Sequence, residues 1–144
     1  MKIRQSIECW IVHRRCRAYL LLQCPETERH PKYWQPITGG VLPKETFSRA
    51  CLREVQEETG IIVSPSELVT VLEEYRVWIP EYQLEVRKPV FTVETELDEV
   101  FISDEHLDYQ WVAPHEVKEW LYWDSNKATF AAAHAFYQQR YQSL

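Results

Sequence analysis

The sequence has 144 residues, of which 45% are hydrophobic, 26% are charged and only three are glycine. This length and composition predict one domain over residues 1–144, and they exclude collagen, glycine-rich linkers and any second glycine-rich phosphate loop. The net charge of -6 excludes bulk attraction for nucleic acid or anionic lipid, so an anionic ligand would need local help, such as a metal ion.

The predicted elements indicate an α/β domain with a mixed sheet and helices on both sides. Apolar runs and period-2 alternation mark the strands, whereas 3.6-residue periodicity and capping residues mark the helices. In chain order, the predicted strands are 3–12, 18–22, 33–38, 61–63, 68–79, 83–95 and 107–112. The predicted helices are 46–59, 114–123 and 127–141, the last capped by Asp124 or Ser125. The first two strands and the long pair around Pro80 are each expected to form a hairpin.

The sequence carries no sign of export or of a membrane span. No stretch approaches 18 consecutive apolar residues, and the N-terminus has no apolar leader segment. We therefore expect a cytoplasmic protein that contacts neither membranes nor nucleic acid, with self-association as a homodimer left open. The four cysteines are scattered without a C-x-x-C pair, which disfavours a disulfide framework or a zinc site.

The helix predicted over residues 46–59 ends in an unusual set of acids. Glu54 lies three and four residues before Glu57 and Glu58, so like charges are neighbours on the helix surface, and the last two lie where the helix dipole is negative. On a helical wheel these carboxylates border the apolar stripe that contains Val55, whereas Arg53 falls on the solvated side. A helix face that is simply exposed to solvent would not have this pattern. We therefore expect the carboxylates to face the body of the protein or a cleft in it.

Three carboxylates that converge in a sheltered place raise one another's pKa, and a hard divalent cation removes this repulsion. Carboxylate oxygens with several waters suit Mg²⁺ or Mn²⁺, which usually bind together with substrate phosphates. We therefore expect Mg²⁺ or Mn²⁺ as cofactor. A bound cation would also let an acidic protein accept a polyphosphate.

Residues 39–61 read Gly39-x5-Glu45-x7-Arg53-Glu54-Val55-x-Glu57-Glu58-x-Gly60-Ile61 and resemble the Nudix box at every fixed position. The resemblance implies a Nudix α/β/α sandwich with a mixed β-sheet. It also implies hydrolysis of a phosphoanhydride bond by metal-activated water. By position, the implied metal ligands are Glu54, Glu57 and Glu58, with help from Glu45 and from the carbonyl of Gly39. Arg53 would orient these carboxylates.

The base that activates water is left open between a box glutamate and a carboxylate elsewhere. Residues 103–111 contain Glu105-His106 shortly before a strand with an aromatic-x-Trp pattern. This segment resembles one in dihydroneopterin triphosphate pyrophosphatases and diadenosine tetraphosphate hydrolases, in which the glutamate lies over the metal site. Glu105 is therefore a candidate base or extra ligand, against the alternative of an ordinary loop acid. His106 is expected to be a loop or packing residue.

Three residues are predicted to bind substrate. Trp34, just before the box, would stack on a base or pterin ring, with core packing as the equal alternative. Arg4 and Arg76 would contact phosphates, although each is also an ordinary surface charge when taken alone.

The sequence thus predicts a single Nudix hydrolase domain that acts on a small nucleotide. We favour hydrolysis of a nucleoside triphosphate-like substrate, including dihydroneopterin triphosphate, with release of pyrophosphate. The alternatives are a dinucleoside polyphosphate hydrolase and a Nudix domain that only binds a nucleotide as a sensor. The complete box argues against a sensor, which needs no full metal and base set.

Overall fold

The computed structural model describes residues 1–142 of the chain. Its strands are Lys2–His13 (β1), Tyr19–Cys24 (β2), Tyr33–Gln35 (β3), Ile37–Gly40 (β4), Val69–Ile79 (β5), Leu84–Thr95 (β6) and Asp108–Val112 (β7). Its α-helices are Phe47–Thr59 (α1), Val117–Trp120 (α2) and Asp124–Gln142 (α3). Within the described residues, no helix combines the length and the apolar character needed to cross a membrane.

The seven strands form one mixed sheet with β1 at its centre. β1 runs parallel to β6, from Lys2 opposite Leu84 to His13 opposite Thr95, and β5 completes this side as an antiparallel edge strand. On its other side β1 pairs antiparallel with β4 over residues 6–9 and with β2 at Val12. β2 also pairs with β3 and β7. The ends of β2, β3 and β4 thereby come together, and β4 lies against α1.

Alternation along β1 divides the core between the two faces of the sheet, because successive strand residues point to opposite sides. The face toward α1 carries Ile7, Cys9 and Ile11 of β1, packed with Cys51 and Val55 of α1. The opposite face carries Trp10 and Val12 of β1 with Tyr19 and Leu21 of β2, and these pack against Val117 of α2 and against Phe130, Ala133 and Tyr137 of α3. Helices therefore lie on both sides of the sheet, and the predicted α/β sandwich is confirmed.

Helix α1 ends where the sequence predicts and begins one residue later, because Thr46 is its N-cap. The side chain of Thr46 accepts a hydrogen bond from the backbone N–H of Arg49 at 3.1 Å, which satisfies one of the free donors of the first turn. At the other end Gly60 adopts a left-handed conformation with φ of 77° and donates its N–H to the carbonyl of Gln56. This cap fixes the last turn, which carries Glu57 and Glu58.

Other predictions need correction. The hairpin of β1 and β2 is confirmed in direction but is paired only near Val12 and Tyr19, because β4 occupies the same edge of β1 over residues 6–9. The strand predicted over 61–63 is absent from the described residues. The helix predicted over 114–123 is a 3₁₀ turn followed by the short α2, because Leu121 is extended and bridges Trp34. Helix α3 begins at Asp124, and Trp123, not Asp124 or Ser125, supplies the first carbonyl acceptor.

Candidate active site

Arg53 organises the acidic end of α1. Its Nε and Nη2 donate to the two carboxylate oxygens of Glu45 at 2.8 and 2.9 Å, and Nη1 donates to Glu54 at 2.8 Å and to Glu57 at 3.3 Å. Nη2 also donates to the carbonyl of Gly40 at 3.0 Å. The guanidinium holds the pKa of the Glu45 carboxyl at about 2, and these carboxylates in turn raise the pKa of Arg53. The paired geometry joins α1 to the loop before it and to the end of β4.

Glu58 has a different environment from its neighbours on α1. Its side chain is only 5% exposed, and its Oε2 is buried without a hydrogen-bond partner. Burial, followed by the negative charges of Glu54, Glu105 and Glu57, raises the pKa of Glu58 to about 9. Burial also raises the pKa of Glu54, although the nearby guanidinium of Arg53 opposes the shift. A buried anionic oxygen without a partner is costly, so this position is suited to a cation.

The backbone at Gly39 approaches Glu54 so closely that a side chain has no room there. A Cβ at this position would overlap Cδ of Glu54 and would lie 2.5 Å from its Cγ. The carbonyl of Gly39 accepts a hydrogen bond of 2.6 Å from the Ser6 hydroxyl. By contrast, a Cβ at Gly40 would meet nothing nearer than Nη2 of Arg4, at 4.0 Å. A side chain at Gly39 would therefore displace the carboxylate of Glu54, whereas a side chain at Gly40 would not.

Glu54, Glu57 and Glu58 form one wall of a cavity of about 690 Å³, which we call the acidic cavity. The opposite wall comes from residues 103–106, the loop before β7, and includes Glu105 and His106. Five carboxylates line the cavity, and within the described residues Arg4 is the only arginine or lysine that does so. A polyphosphate therefore meets strong repulsion here unless bound cations offset the carboxylates.

Aromatic side chains surround the end of the cavity formed by β3 and the loop before it. His30 and Tyr33 line the cavity. The ring of Tyr33 lies 4.7 Å from His30 and 5.6 Å from Trp123, and Trp123 lies 4.7 Å from Tyr122. We call these four residues the aromatic cluster. Tyr122 and Trp123 remain partly exposed, at 45% and 39%. The cavity thus has an aromatic end and a carboxylate wall.

The structure places the predicted site residues in two groups. Those that line the acidic cavity are Arg4, Gly39, Glu54, Glu57, Glu58 and Glu105, while Glu45 and Arg53 lie behind them in the ion-pair network. Trp34 points to the other face of β3, where its ring packs 5.1 Å from Trp120. Arg76 lies on β5 and pairs with Glu74 at 2.9 Å. Neither Trp34 nor Arg76 is among the residues that line the cavity.

Sequence reasoning missed the aromatic residue that faces the cavity. Tyr33 and Gln35 line it, and Trp34 between them does not, because alternate residues of a strand point to opposite faces. The period-2 rule could have found Tyr33 once Gln35 was assigned to the cavity side. His106, which the sequence suggests is a packing residue, is buried, yet it also lines the cavity, and burial lowers its pKa.

The donor chemistry fits a hard divalent cation. Glu54, Glu57 and Glu58 offer carboxylate oxygens and Gly39 offers a carbonyl, which are the ligand types that Mg²⁺ and Mn²⁺ accept. The partnerless Oε2 of Glu58 is the clearest sign of a missing positive charge. Within residues 1–142, no three His, Cys, Asp or Glu side chains are yet gathered tightly enough to hold a metal. In this arrangement Arg53 pairs with the carboxylates of Glu54 and Glu57.

The family model described as the NUDIX domain matches residues 3–133. The chain belongs to the Nudix family of hydrolases. Among curated relatives, the asymmetrical bis(5'-nucleosyl)-tetraphosphatase of Rattus norvegicus is 36% identical over 125 residues, covering 82% of this chain and 79% of the relative. The enzyme of the same name from Mus musculus is 31% identical over 122 residues, with the same coverage.

Solved Nudix structures share the fold. The Escherichia coli dihydroneopterin triphosphate pyrophosphohydrolase superposes with a TM-score of 0.75 at 22% identity, covering 90% of this chain and 95% of that one. A Caenorhabditis elegans Ap4A hydrolase binary complex superposes with a TM-score of 0.73 at 20% identity, covering 94% and 98%. At these identities the likeness establishes the architecture in which the Nudix box of this chain sits.

Proposed function

We propose that this Nudix hydrolase cleaves a phosphoanhydride bond of a nucleoside polyphosphate in a reaction that depends on Mg²⁺ or Mn²⁺. The observation that carries the proposal is Glu58, a buried carboxylate without a partner for Oε2, beside Glu54 and Glu57 in the acidic cavity. This arrangement disfavours a polyphosphate until positive charge is added, and it supplies the oxygen ligands that would hold that charge.

The residues that would hold the metal are Glu54, Glu57 and Glu58, together with the carbonyl of Gly39. When bound, a divalent cation polarises the phosphoryl group, neutralises its charge and lowers the pKa of a water molecule. Glu54 and Glu57 can share their oxygens between Arg53 and a cation, because each carboxylate has two oxygens and Arg53 contacts only one of each. Glu45 stays with Arg53 through both of its oxygens and keeps the guanidinium in place.

Glu105 is our candidate for the general base. It lines the cavity opposite α1, and its charge is close enough to contribute to the raised pKa of both Glu54 and Glu58. In the proposed reaction a water oxygen bonds to phosphorus, the bond from phosphorus to the bridging oxygen breaks, and Glu105 accepts the proton of the water. The leaving group, which is pyrophosphate when water attacks the α-phosphorus of a triphosphate, takes the electron pair of the broken bond.

The residues that line the cavity suggest how it would bind a mononucleotide. The aromatic cluster offers His30 and Tyr33 as a stacking platform for a base or pterin, in place of Trp34. Arg4, which has no carboxylate partner among the described contacts, lies near Gly40 and would bind a phosphate oxygen. A substrate with one ring system and a free terminal phosphate matches this arrangement, so we favour nucleoside triphosphates and dihydroneopterin triphosphate, with release of pyrophosphate.

A second candidate comes from the sequence relatives. The tetraphosphatase of Rattus norvegicus, at 36% identity, carries the name of an enzyme that acts on two nucleosides joined by four phosphates.

A substrate panel decides between these candidates. Purified protein is incubated with Mg²⁺ and, in separate reactions, with each nucleoside triphosphate, dihydroneopterin triphosphate and a dinucleoside tetraphosphate, and products are separated by ion-exchange chromatography. We expect pyrophosphate and a monophosphate from a triphosphate, and no product when EDTA removes the metal. Preferred cleavage of the dinucleoside tetraphosphate would establish the second candidate. Nucleotide binding without turnover of any substrate would contradict the enzyme proposal and favour a sensor.

Arg4→Ala is expected to raise KM for the preferred triphosphate about ten- to hundredfold, with a smaller change in kcat. The reason is that a hydrogen bond to a charged group contributes about 1.5–3 kcal/mol, and 1.4 kcal/mol corresponds to a tenfold change in affinity. Steady-state kinetics give KM and kcat for Arg4→Ala and for the control variant Arg76→Ala. Arg76 is a suitable control because it has the same charge but lies outside the cavity. Equal KM values for Arg4→Ala and the wild type would remove Arg4 from the substrate site.

A further inference from the structure

Unsatisfied polar atoms in this protein are concentrated at one place. Among the described residues, three buried side-chain nitrogen or oxygen atoms have no hydrogen-bond partner: Oε2 of Glu58, Oγ1 of Thr92 and Nδ1 of His106. Two of the three belong to Glu58 and His106, which both line the acidic cavity. Folded proteins leave few such atoms unpaired, so the partnerless Oε2 of Glu58, with His106 beside it, indicates a position for a ligand such as a cation.

The pair connects α1 with the loop before β7. Nε2 of His106 lies 3.7 Å from Oε1 of Glu58, and the two side chains are only 4% and 5% exposed. This separation exceeds a hydrogen bond by about half an ångström, so a small movement of either side chain closes it. The other carboxylate oxygen, Oε2, has no competing partner.

The backbone around His106 is fixed, which gives the imidazole a defined position. The N–H of His106 donates to the carbonyl of Ser103 at 3.2 Å, and the N–H of Leu107 donates to the carbonyl of Gln23 on β2 at 2.9 Å. The N–H of Glu105 donates to the Ser103 hydroxyl at 3.3 Å. These contacts bind the turn to itself and to the sheet, so His106 is held against α1 from a rigid support.

We propose that His106 is a positioning residue, which donates its Nε2–H to Oε1 of Glu58 and leaves Oε2 for the cation. The inference rests on the proposed role of Glu58 as a metal ligand. Hydrogen bonds that orient metal-binding side chains are a general requirement of such sites, and losing one typically lowers metal affinity or activity about 10- to 100-fold. His106 acts through Glu58 and not on the substrate, because Nε2 faces the carboxylate and Nδ1 is buried.

Three substitutions distinguish a hydrogen-bonding role of His106 from a role in packing. His106→Gln keeps an N–H donor at the distance of Nε2 from the backbone, His106→Asn moves the donor back to the distance of Nδ1, and His106→Leu has no donor. His115→Leu is the matched control, since His115 is 80% exposed and lies outside the cavity. Circular dichroism and thermal melting report whether each variant folds.

The readout is Mn²⁺ binding to the full-length protein without substrate, measured by electron paramagnetic resonance. We expect His106→Leu and His106→Asn to weaken Mn²⁺ binding about 10- to 100-fold, and His106→Gln to remain within about threefold of the wild type. The affinity of His115→Leu should equal that of the wild type. If the role of His106 is purely structural, the variants should have lower melting temperatures, and His106→Gln and His106→Asn should not differ in their affinity for Mn²⁺.

Other results overturn the inference in distinguishable ways. If His106→Leu folds and binds Mn²⁺ with wild-type affinity, His106 has no role in the metal site, and the proposed function is unaffected. If His106→Leu does not fold, equal Mn²⁺ binding by His106→Gln and His106→Asn leads to the same conclusion. Unchanged Mn²⁺ binding in Glu58→Gln would instead refute Glu58 as a ligand, and the inference would fall together with the proposed metal site.

Discussion

Glu58→Gln is expected to lower kcat by about two to three orders of magnitude and to leave the fold intact. The substitution keeps the shape of the side chain but replaces the carboxyl with an amide, which cannot supply a negative charge to a bound cation. Charge stabilisation by a bound metal amounts to several kcal/mol, and each 1.36 kcal/mol changes a rate tenfold. Steady-state kinetics at saturating Mg²⁺ measure the loss, with Glu119→Gln as the control, because Glu119 is an exposed acid outside the cavity.

The thermal stability of Glu58→Gln also tests whether Glu58 is a metal ligand or only a buried acid. An amide carries no charge, so it avoids the cost that burial and the neighbouring carboxylates impose on ionised Glu58. Without metal, the melting temperature of Glu58→Gln should therefore equal or exceed that of the wild type. Adding Mg²⁺ should raise the melting temperature of the wild type and of Glu119→Gln, since a ligand that binds only the folded state stabilises it. The same rise in Glu58→Gln, together with a wild-type rate, would exclude Glu58 as a metal ligand.

The local features of the box could be predicted because they depend on neighbouring residues. Helix α1, its end at Gly60 and the inward position of Glu58 all follow from spacing along one helix. The position of Arg53 could not be predicted in the same way. The helical wheel assigns it to the solvated side, yet its side chain is only 25% exposed and reaches the carbonyl of Gly40. A wheel gives the direction of Cβ, whereas a long side chain ends wherever its partners lie.

The opposite wall of the cavity could be suggested only by resemblance. Glu105 and His106 lie more than 40 residues beyond α1, and no periodicity links them to it. What brings them together is tertiary hydrogen bonding: Phe101 donates its N–H to the carbonyl of Thr59, and Leu107 donates to Gln23. Such pairing depends on the assembled sheet. For the same reason, the sequence suggested Trp34 for stacking, although the register of β3 turns Tyr33 toward the cavity.

Gly39→Ala is expected to reduce kcat about a hundredfold with little loss of stability. A methyl group at this position would overlap Cδ of Glu54 and crowd its Cγ, so Glu54 must leave its place beside Arg53. Displacing a catalytic group by about 1 Å lowers rates about a hundredfold. The backbone of Gly39 is not left-handed, so alanine introduces no strain there, and the side chain that moves is flexible. Steady-state kinetics, Mn²⁺ binding and thermal melting are measured together.

Gly40→Ala is the matched control for Gly39→Ala, because the two glycines are adjacent in the same strand. Its methyl group would meet only Nη2 of Arg4, at an ordinary contact distance of 4.0 Å, so activity should stay within about twofold of the wild type. A wild-type rate in Gly39→Ala would mean that catalysis does not need Glu54 in its observed place. Equal losses in both variants would mean that the backbone of β4, and not the space beside Glu54, limits the reaction. A loss in Gly39→Ala alone, with weaker Mn²⁺ binding and an unchanged melting temperature, would assign Gly39 to the metal site because a side chain there displaces a ligand.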